Sequence, residues 1–404
     1  MSKLGKKKIL IAYASTGSGH KIAAEALYEE FLNNDEDINI VIADILDYFP
    51  QNESGSKFVN FTTGLLSPVF DLTWRTNFTG RILWGGGQLW PSLLYKNFEH
   101  YIAGLDPDVV VCTHFVCANV AAKVRAIKNL NFRIVSVPTD YETEGLWPHK
   151  ETDLFCVGSE EMASTLQSRR VDRNKILVSG IPISSEFSKI FSKLEVKKLF
   201  SIHQNKKVVL IICGANDSGP YKNMRKTLNA CLSFFSKMDW LHFVFCVGQD
   251  ETYANKLSKL ANNANASNFT ILTYTDKLPQ LMSISDIAIV KPGGLVVSEC
   301  INKNLPMILI GKAYAQENLN RRFLISNGAA VHATTYKGVI NFLCDIFTFS
   351  KWYESLKFGV SKIRRANSSK KICSEVLEHI DESHLEKPKL WNNIYLGKKP
   401  IHSR

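Results

Sequence analysis

The stretch KKILIAYASTGSGHKIAAEAL, residues 7–27, runs from a β-branched apolar segment through a loop with two glycines into a helical pattern. A strand that feeds a glycine turn and then a helix is the opening unit of a parallel α/β sheet. Gly17 and Gly19 let the backbone come close to a ligand, and the helix that follows offers free N–H groups and the positive end of its dipole. A P-loop is excluded, because no G-K-[ST] stands at the required spacing. A dinucleotide fingerprint lacks its third glycine, since position 22 is Ile22, although Asp44 at the end of the next strand could hold a ribose. His20 remains, at the helix start. It fits a helix cap or surface residue, and equally a base held over a substrate.

Outward from that stretch the same alternation continues. INIVIAD, DVVVCTH and FRIVSVP read as strands, separated by amphipathic segments such as 20–33 and 116–128. After KILVSGIPI comes a polar, lysine-rich interval, and a second series begins with KVVLIICG, LHFVFCVG, FTILTY, DIAIVKPGG and LPMILIG. Two such series predict an α/β protein of two Rossmann-like domains facing each other across a cleft, with ligands at the carboxyl ends of the strands. The expected boundaries are 1–185 for the first domain, 186–205 for a linker, 206–365 for the second domain and 366–404 for a C-terminal helix and tail. A chain of 404 residues suits two or three domains. Internal repeats and low-complexity segments are not evident.

Composition narrows the class. Hydrophobic residues make up 45% and charged residues 22%, an ordinary globular balance. No apolar run reaches the ~18 residues of a membrane helix, and the apolar run from Ile9 to Ala14 is too short for a secretory signal. The nine cysteines include no C-x-x-C pair; Cys112, Cys156, Cys213 and Cys246 sit in β-like runs, as buried thiols do. A reduced, cytoplasmic chain without zinc is expected. The net charge of +11 suits a nucleic acid, a nucleotide or an acidic membrane face without choosing among them. Residues 56–101 break the alternation, with ten aromatics and four Lys or Arg against two acids. They read either as an insert packed on the first domain or as an interfacial surface carrying Trp74, Trp84, Trp90, Arg75 and Arg81.

A second glycine loop, KPGGLVVSEC at 291–300, carries Lys291, Pro292, Gly293 and Gly294 into a helix start suited to a diphosphate. Glu299 follows one to two turns on, where a carboxylate could hold both ribose hydroxyls; an ordinary turn with an exposed acid is the alternative. ICGANDSG at 212–219 ends its strand in the same manner, and AQENLN at 315–320 opens a helix with amides and a carboxylate fit for sugar hydroxyls.

Together the G-x-G-H loop and the K-P-G-G-x-x-x-S-E loop followed by Q-E-x-x-N resemble the monogalactosyldiacylglycerol synthase and processive diacylglycerol glucosyltransferase family. TDYETEGLW (139–147), SGIPI (179–183), SISDIAIVKPGG (283–294) and RANSSKKI (365–372) match that pattern too, so the likeness spans roughly 7–380. These are GT-B glycosyltransferases, distantly similar to MurG. The resemblance implies a donor nucleotide in the second domain. Glu299 would take the ribose, Gly214, Ala215 and Asn216 with Gly293 and Gly294 the diphosphate, and Gln316 and Glu317 the sugar. Gly17, Gly19, Lys291, Ser298 and Asn318 complete the expected donor-binding set. His20 falls on the family's loop histidine, the expected base, with Asp140 and Glu144 as further catalytic candidates. Trp147 and the aromatic insert would meet the acceptor lipid and the membrane. Two departures stand out: Glu144 occupies a position where the family commonly has histidine, and the first loop reads S-T-G-S-G-H rather than a run of glycines.

The expected activity is inverting transfer of a hexose from a UDP-sugar to a membrane-lipid hydroxyl, diacylglycerol foremost, at the cytoplasmic face of the membrane. The expected partners are UDP-hexose, diacylglycerol or a related lipid and an anionic membrane surface, and not nucleic acid. No cofactor is expected beyond the donor substrate, since no D-x-D motif is placed to hold a metal. The rival readings are a MurG-like enzyme acting on a polyprenyl diphosphate, a nucleotide-sugar-binding regulator without turnover, and a dehydrogenase built on Gly17 and Asp44.

Overall fold

The computed structural model describes residues 7–15, 18–34, 38–49, 92–142, 146–214, 220–264, 266–311 and 315–381. They fall into two compact units, one made of the chain up to Ser184 together with the segment from Asn367 onward, the other of Ser185–Ala366.

In the first unit six parallel strands run β1 (Lys7–Tyr13), β2 (Ile38–Asp44), β3 (Val109–Cys112), β4 (Arg133–Ser136), β5 (Leu154–Val157) and β6 (Ile176–Val178). Their order in the sheet is β2-β1-β3-β4-β5-β6. β1 pairs with β2 in the register Ile9↔Ile40 and with β3 in the register Ile9↔Val109. The helices are α1 (Ser18–Asn34), α2 (Ser92–Leu105), α3 (Phe115–Lys128) and α4 (Glu160–Ser168). All four residues of β3 are buried, because a parallel sheet is covered on both faces and its strands are apolar on both sides. α1 lays Ala24, Leu27 and Phe31 on Ile9, Ile11, Val109 and Val111. A late helix, α13 (Ser368–Asp381), brings Ile372, Cys373 and Val376 to the same cluster. The strand order reverses between β1 and β3, and at such a switch point neighbouring loops diverge and leave a crevice for ligand.

The second unit repeats the plan. Its strands are β7 (Lys207–Ile212), β8 (Leu241–Cys246), β9 (Phe269–Leu272), β10 (Ile287–Val290), β11 (Met307–Leu309) and β12 (Ala330–His332). All are parallel, in the order β12-β11-β10-β7-β8-β9, with the reversal between β10 and β7. The helices are α5 (Lys193–Leu199), α6 (Pro220–Phe235), α7 (Glu251–Asn263), α8 (Leu278–Ile284), α9 (Gly294–Asn302), α10 (Ala315–Ser326), α11 (Tyr336–Thr348) and α12 (Ser350–Ile363). One core cluster joins Met224, Leu228 and Phe235 of α6 and Val339, Leu343 and Ile346 of α11 to Val209, Ile211, Phe243 and Ile289. α12 crosses so close to the turn after α10 that a Cβ on Gly359 would stand 2.2 Å from the Gly328 carbonyl oxygen.

The interval expected as a linker is folded. A 3₁₀ turn at Ser185–Ser188 and α5, capped by the Ser192 hydroxyl at 3.4 Å from the Glu195 N–H, precede β7. They bury Phe187, Val196 and Ile202, and α5 packs on α8. Alternating lysines hid those three apolar positions. Every cysteine among the described residues is a free thiol. No helix among them is long and apolar enough to cross a membrane.

Candidate active site

The first unit gathers its polar groups after β1, β3 and β4. α1 begins at Ser18, so Gly19 and His20 lie in its first turn rather than in a loop, and Gly17 is outside the described residues. His20 Nδ1 stands 2.9 Å from the Thr113 carbonyl oxygen and 3.0 Å from the Thr139 hydroxyl. A carbonyl can only accept, so Nδ1 carries the proton and Nε2 keeps its lone pair. The Thr113 hydroxyl donates back to the His20 carbonyl at 2.9 Å, which ties the turn after β3 to the start of α1. Burial holds the imidazole below its ordinary pKa, opposed by the bond to Thr113, so the ring is neutral near pH 7. A neutral ring with a fixed tautomer and a second nitrogen that no described residue hydrogen-bonds is equipped to take a proton.

A second imidazole stands beside it. His114 meets His20 edge to face at 4.6 Å and stacks on Phe115 at 4.5 Å. Its Nδ1 accepts the Val116 N–H at 3.2 Å and caps α3, and burial pushes its pKa far down. Asp140 is half-buried and directly follows Thr139, so the β4 turn brings it to the same end of the sheet as His20. Glu144 lies outside the described residues. Trp147, expected at the acceptor or membrane surface, is buried at 8% exposure, and the carbonyl of its neighbour Leu146 accepts from Asn119. Asp44 is occupied as well: its Oδ1 accepts from Leu46 N at 3.0 Å and Ser15 N at 3.2 Å. A carboxylate used to cap a turn is a poor ribose ligand, so the dehydrogenase alternative loses its acid.

In the second unit the loops after β7 and β10 flank the switch point. Gly214 adopts φ +65°, and a Cβ there would lie 2.1 Å from the Tyr221 ring, so only glycine fits. Ala215 and Asn216 lie outside the described residues. Arg225, buried in α6, donates to Asp250 at 2.6 Å and to the Gly214 carbonyl at 3.2 Å, and its guanidinium covers the Tyr253 ring at 4.4 Å. That cation fixes the end of the β7 loop. After β10, Gly293 starts α9 with extended backbone, and the Asn320 side chain donates to the Pro292 carbonyl at 3.2 Å. The first-turn amides of α9, at Gly294 and beyond, have the character of an anion site. Lys291 and Glu317, expected to meet the donor separately, are ion-paired to each other, with Lys291 Nζ also 4.7 Å over the Tyr221 ring. Gln316 and Asn318 follow in the first turn of α10, half-buried. The Ser298 hydroxyl turns back to the Gly294 carbonyl at 2.6 Å.

Glu299 is not the exposed acid that the ordinary-turn alternative required. It is buried at 8% exposure in α9, and burial raises its carboxyl to about pKa 8. Among the described residues no side chain or backbone group hydrogen-bonds its carboxyl. A desolvated acceptor without a partner is costly, and two hydroxyls of a ligand would satisfy it. The described residues contain no group of three or more His, Cys, Asp or Glu able to hold a metal ion.

Two family models match consecutive parts of the chain: monogalactosyldiacylglycerol (MGDG) synthase over residues 20–183 and the glycosyltransferase family 28 C-terminal domain over residues 208–336. The processive diacylglycerol beta-glucosyltransferase of Bacillus pumilus is 23% identical over 390 residues, covering 93% of this chain and 96% of the relative. The first part of the chain thus matches the monogalactosyldiacylglycerol synthases, and nearly all of the chain is similar to a processive diacylglycerol glucosyltransferase. The chain is a glycosyltransferase. The crystal structure of Acinetobacter baumannii MurG superposes with a TM-score of 0.58 at 13% identity, over 92% of this chain and 99% of that one. The UDP-GlcNAc 2-epimerase of Neisseria meningitidis, solved with UDP-GlcNAc bound, gives 0.58 at 15% identity over 92% and 100%. At these identities the likeness shows the fold, and that fold is GT-B.

Sequence reasoning missed several groups in this glycosyltransferase. Thr113, His114 and Thr139 stand 93 to 119 residues from their partner His20, beyond the reach of spacing rules. Arg225 was hidden in an unremarkable helix. Asn320 did carry a signal, as the last residue of Q-E-x-x-N.

Proposed function

We propose that the protein transfers a hexose from a UDP-sugar to the hydroxyl of diacylglycerol, with inversion at the anomeric carbon, at the cytoplasmic face of a membrane. The observation that carries this reading is the fixed tautomer of His20: Nδ1–H is spent on the Thr113 carbonyl, and Nε2 keeps its lone pair in a ring that is neutral near pH 7. The acceptor hydroxyl would give its proton to Nε2 as its oxygen bonds to the anomeric carbon. The carbon–oxygen bond to the diphosphate breaks on the opposite face, and UDP leaves. The amide-bearing start of α9 would stabilise the departing diphosphate, so no bound metal is invoked. Glu299 would accept the two ribose hydroxyls, and the ion-paired Lys291 and Glu317 would border the sugar. The name of the Bacillus pumilus relative supports diacylglycerol as acceptor and glucose as donor sugar, but epimers differ in one hydroxyl, so glucose and galactose are both tested.

The test incubates the purified full chain with UDP-glucose, UDP-galactose or UDP-N-acetylglucosamine and labelled diacylglycerol in mixed micelles. One UDP-hexose should yield a labelled glycolipid and an equivalent of UDP. Turnover only with a polyprenyl-diphosphate acceptor would replace diacylglycerol with a MurG-like acceptor. No transfer with any donor, alongside retained UDP binding, would reduce the protein to a nucleotide-sugar-binding regulator.

A further inference from the structure

The folded interval 185–206 at the start of the second unit has no part in the donor site, yet its surface is unusual. Ile190 is 98% exposed, Leu194 54% and Leu199 55%, three large apolar side chains within ten residues. Isolated exposed hydrophobics are ordinary, but a group of them rimmed by one sign of charge marks an interaction surface. The rim here is basic. Lys189, Lys193, Lys197, Lys198 and Lys206 stand against Glu186 and Glu195 within the interval. Lys193 and Lys198 make no ion pair among the described residues, and Leu194 and Lys198, four apart on α5, share a face.

The packing beneath explains why Ile190 points outward. Phe191 lies under the Lys303 ammonium, 4.7 Å from its ring, and Lys303 donates to the Lys189 carbonyl at 2.7 Å. Asn302 reaches Ser188 at 3.4 Å and accepts from Arg364 at 3.4 Å. Three polar ties therefore hold the turn on the end of α9, and a fourth joins that end to Arg364 after α12, with Phe191 turned inward and its neighbour in solvent. Lys303 and Arg364 lie at the same place and add two cations to the rim; their mutual repulsion, after burial, lowers the Lys303 ammonium to about pKa 8.

We propose that this surface is a second bilayer contact, on the nucleotide-sugar unit. Ile190 and Leu194 would enter the interfacial region of an anionic membrane, with Lys193 and Lys198 against lipid phosphates, while Lys189 is ion-paired to Glu186. Charge complementarity chooses the partner. A free phosphate or a nucleic acid would use the cations but give no reason for an isoleucine held fully in water, whereas a bilayer interface takes both. The contact is distinct from the aromatic segment 56–101. It draws its biological sense from the lipid-acceptor reading but is measured without turnover.

The experiment is co-sedimentation of the full chain with vesicles of phosphatidylcholine alone or with phosphatidylglycerol, at low and high salt, for three variants. Ile190→Ser should weaken partition onto anionic vesicles roughly fivefold. Lys193→Glu with Lys198→Glu should weaken it on the order of 10–100-fold, an effect that fades at high salt. Lys256→Glu with Lys259→Glu, exposed on α7, makes the same change of net charge elsewhere on the unit and should leave partition near wild type. Melting temperatures should stay unchanged, because the altered side chains are solvent-exposed. Wild-type partition in the first two variants, equal loss in the α7 control, or indifference of the wild type to anionic vesicles would each overturn the proposal. So would an Ile190→Ser protein that binds vesicles normally while the lysine variant loses binding to RNA. Failure of the lipid-acceptor reading shows separately, as absence of glycolipid in detergent micelles, where no bilayer is present.

Discussion

Replacing Glu299 by Gln removes one titrating group and changes almost no volume. In the free protein burial sets this carboxyl at about pKa 8, so at pH 7 it is mostly protonated. Accepting two ribose hydroxyls favours the ionised form, so UDP binding at pH 7 should expel roughly one proton. The ionisation costs about 1 kcal/mol at pH 7 and vanishes above pH 8, one pH unit being worth about that much. The sign follows: wild-type affinity for UDP rises ~5-fold from pH 7 to pH 8 and levels off about one unit higher at ~10-fold. The Gln variant should bind UDP ~10–100-fold more weakly, the loss of hydrogen bonds to a charged acceptor, with a flat pH response. Calorimetry in two buffers of different ionisation enthalpy counts the proton directly, and the variant corrects for the titration of UDP itself. Equal proton release by wild type and Glu299→Gln, or equal affinity, would refute the ribose assignment.

The His20 reading sets the acidic limb of the rate profile. Because burial depresses this imidazole, activity should be lost only as the pH falls below the ordinary histidine value, and a limb above pH 6.5 in kcat/KM would contradict it. His114→Asn retains a cap for α3 but opens the packing on His20, so the limb should move up toward the ordinary value while melting changes little; an unmoved limb would deny His114 that influence. Gly359→Ala forces a Cβ into the Gly328 carbonyl and should destabilise the second unit by ~1–3 kcal/mol in denaturant unfolding, and an unchanged midpoint would show that α12 shifts freely. Trp84→Ala and Trp90→Ala with Arg75→Glu and Arg81→Glu should reduce sedimentation with anionic liposomes while UDP binding persists; unaltered sedimentation would make residues 56–101 a packing insert.

The fold was legible because parallel strands buried on both faces leave unbroken apolar runs, such as VVVC at 109–112 and IAIV at 287–290, which composition alone reveals. The strand-to-helix junctions before His20 and at Lys291–Gly294 were legible because glycine at a strand end has few structural uses, although Gly19 and His20 themselves lie in the first turn of α1. What escaped was set by tertiary contact. Nothing in KPGGLVVSEC says that Glu299 turns into the protein, since helix phase fixes a direction only once the packing partner is known. Lys291 and Glu317 read as two ligand contacts because each stands where a donor group would be useful; that they neutralise one another depends on β10 lying beside the start of α10. The interval 186–205 read as a linker because its lysines outnumber Phe187, Val196 and Ile202, the three residues that dock it. His114 was passed over because its signal, a ring edge on His20, joins positions 94 residues apart.

The central claim is that His20 Nε2 takes the proton of a lipid hydroxyl as the sugar is transferred. It is tested most directly by single-turnover transfer from labelled UDP-hexose to diacylglycerol, at saturating donor and lipid, in the wild type and in His20→Ala. The account predicts a labelled diacylglycerol glycoside from the wild type and a ~10²–10⁴-fold slower transfer in the variant, with UDP affinity unchanged. A fall of less than about tenfold would contradict it: His20 would then be a structural residue at the start of α1, and the base would have to be sought at Asp140 or Glu144.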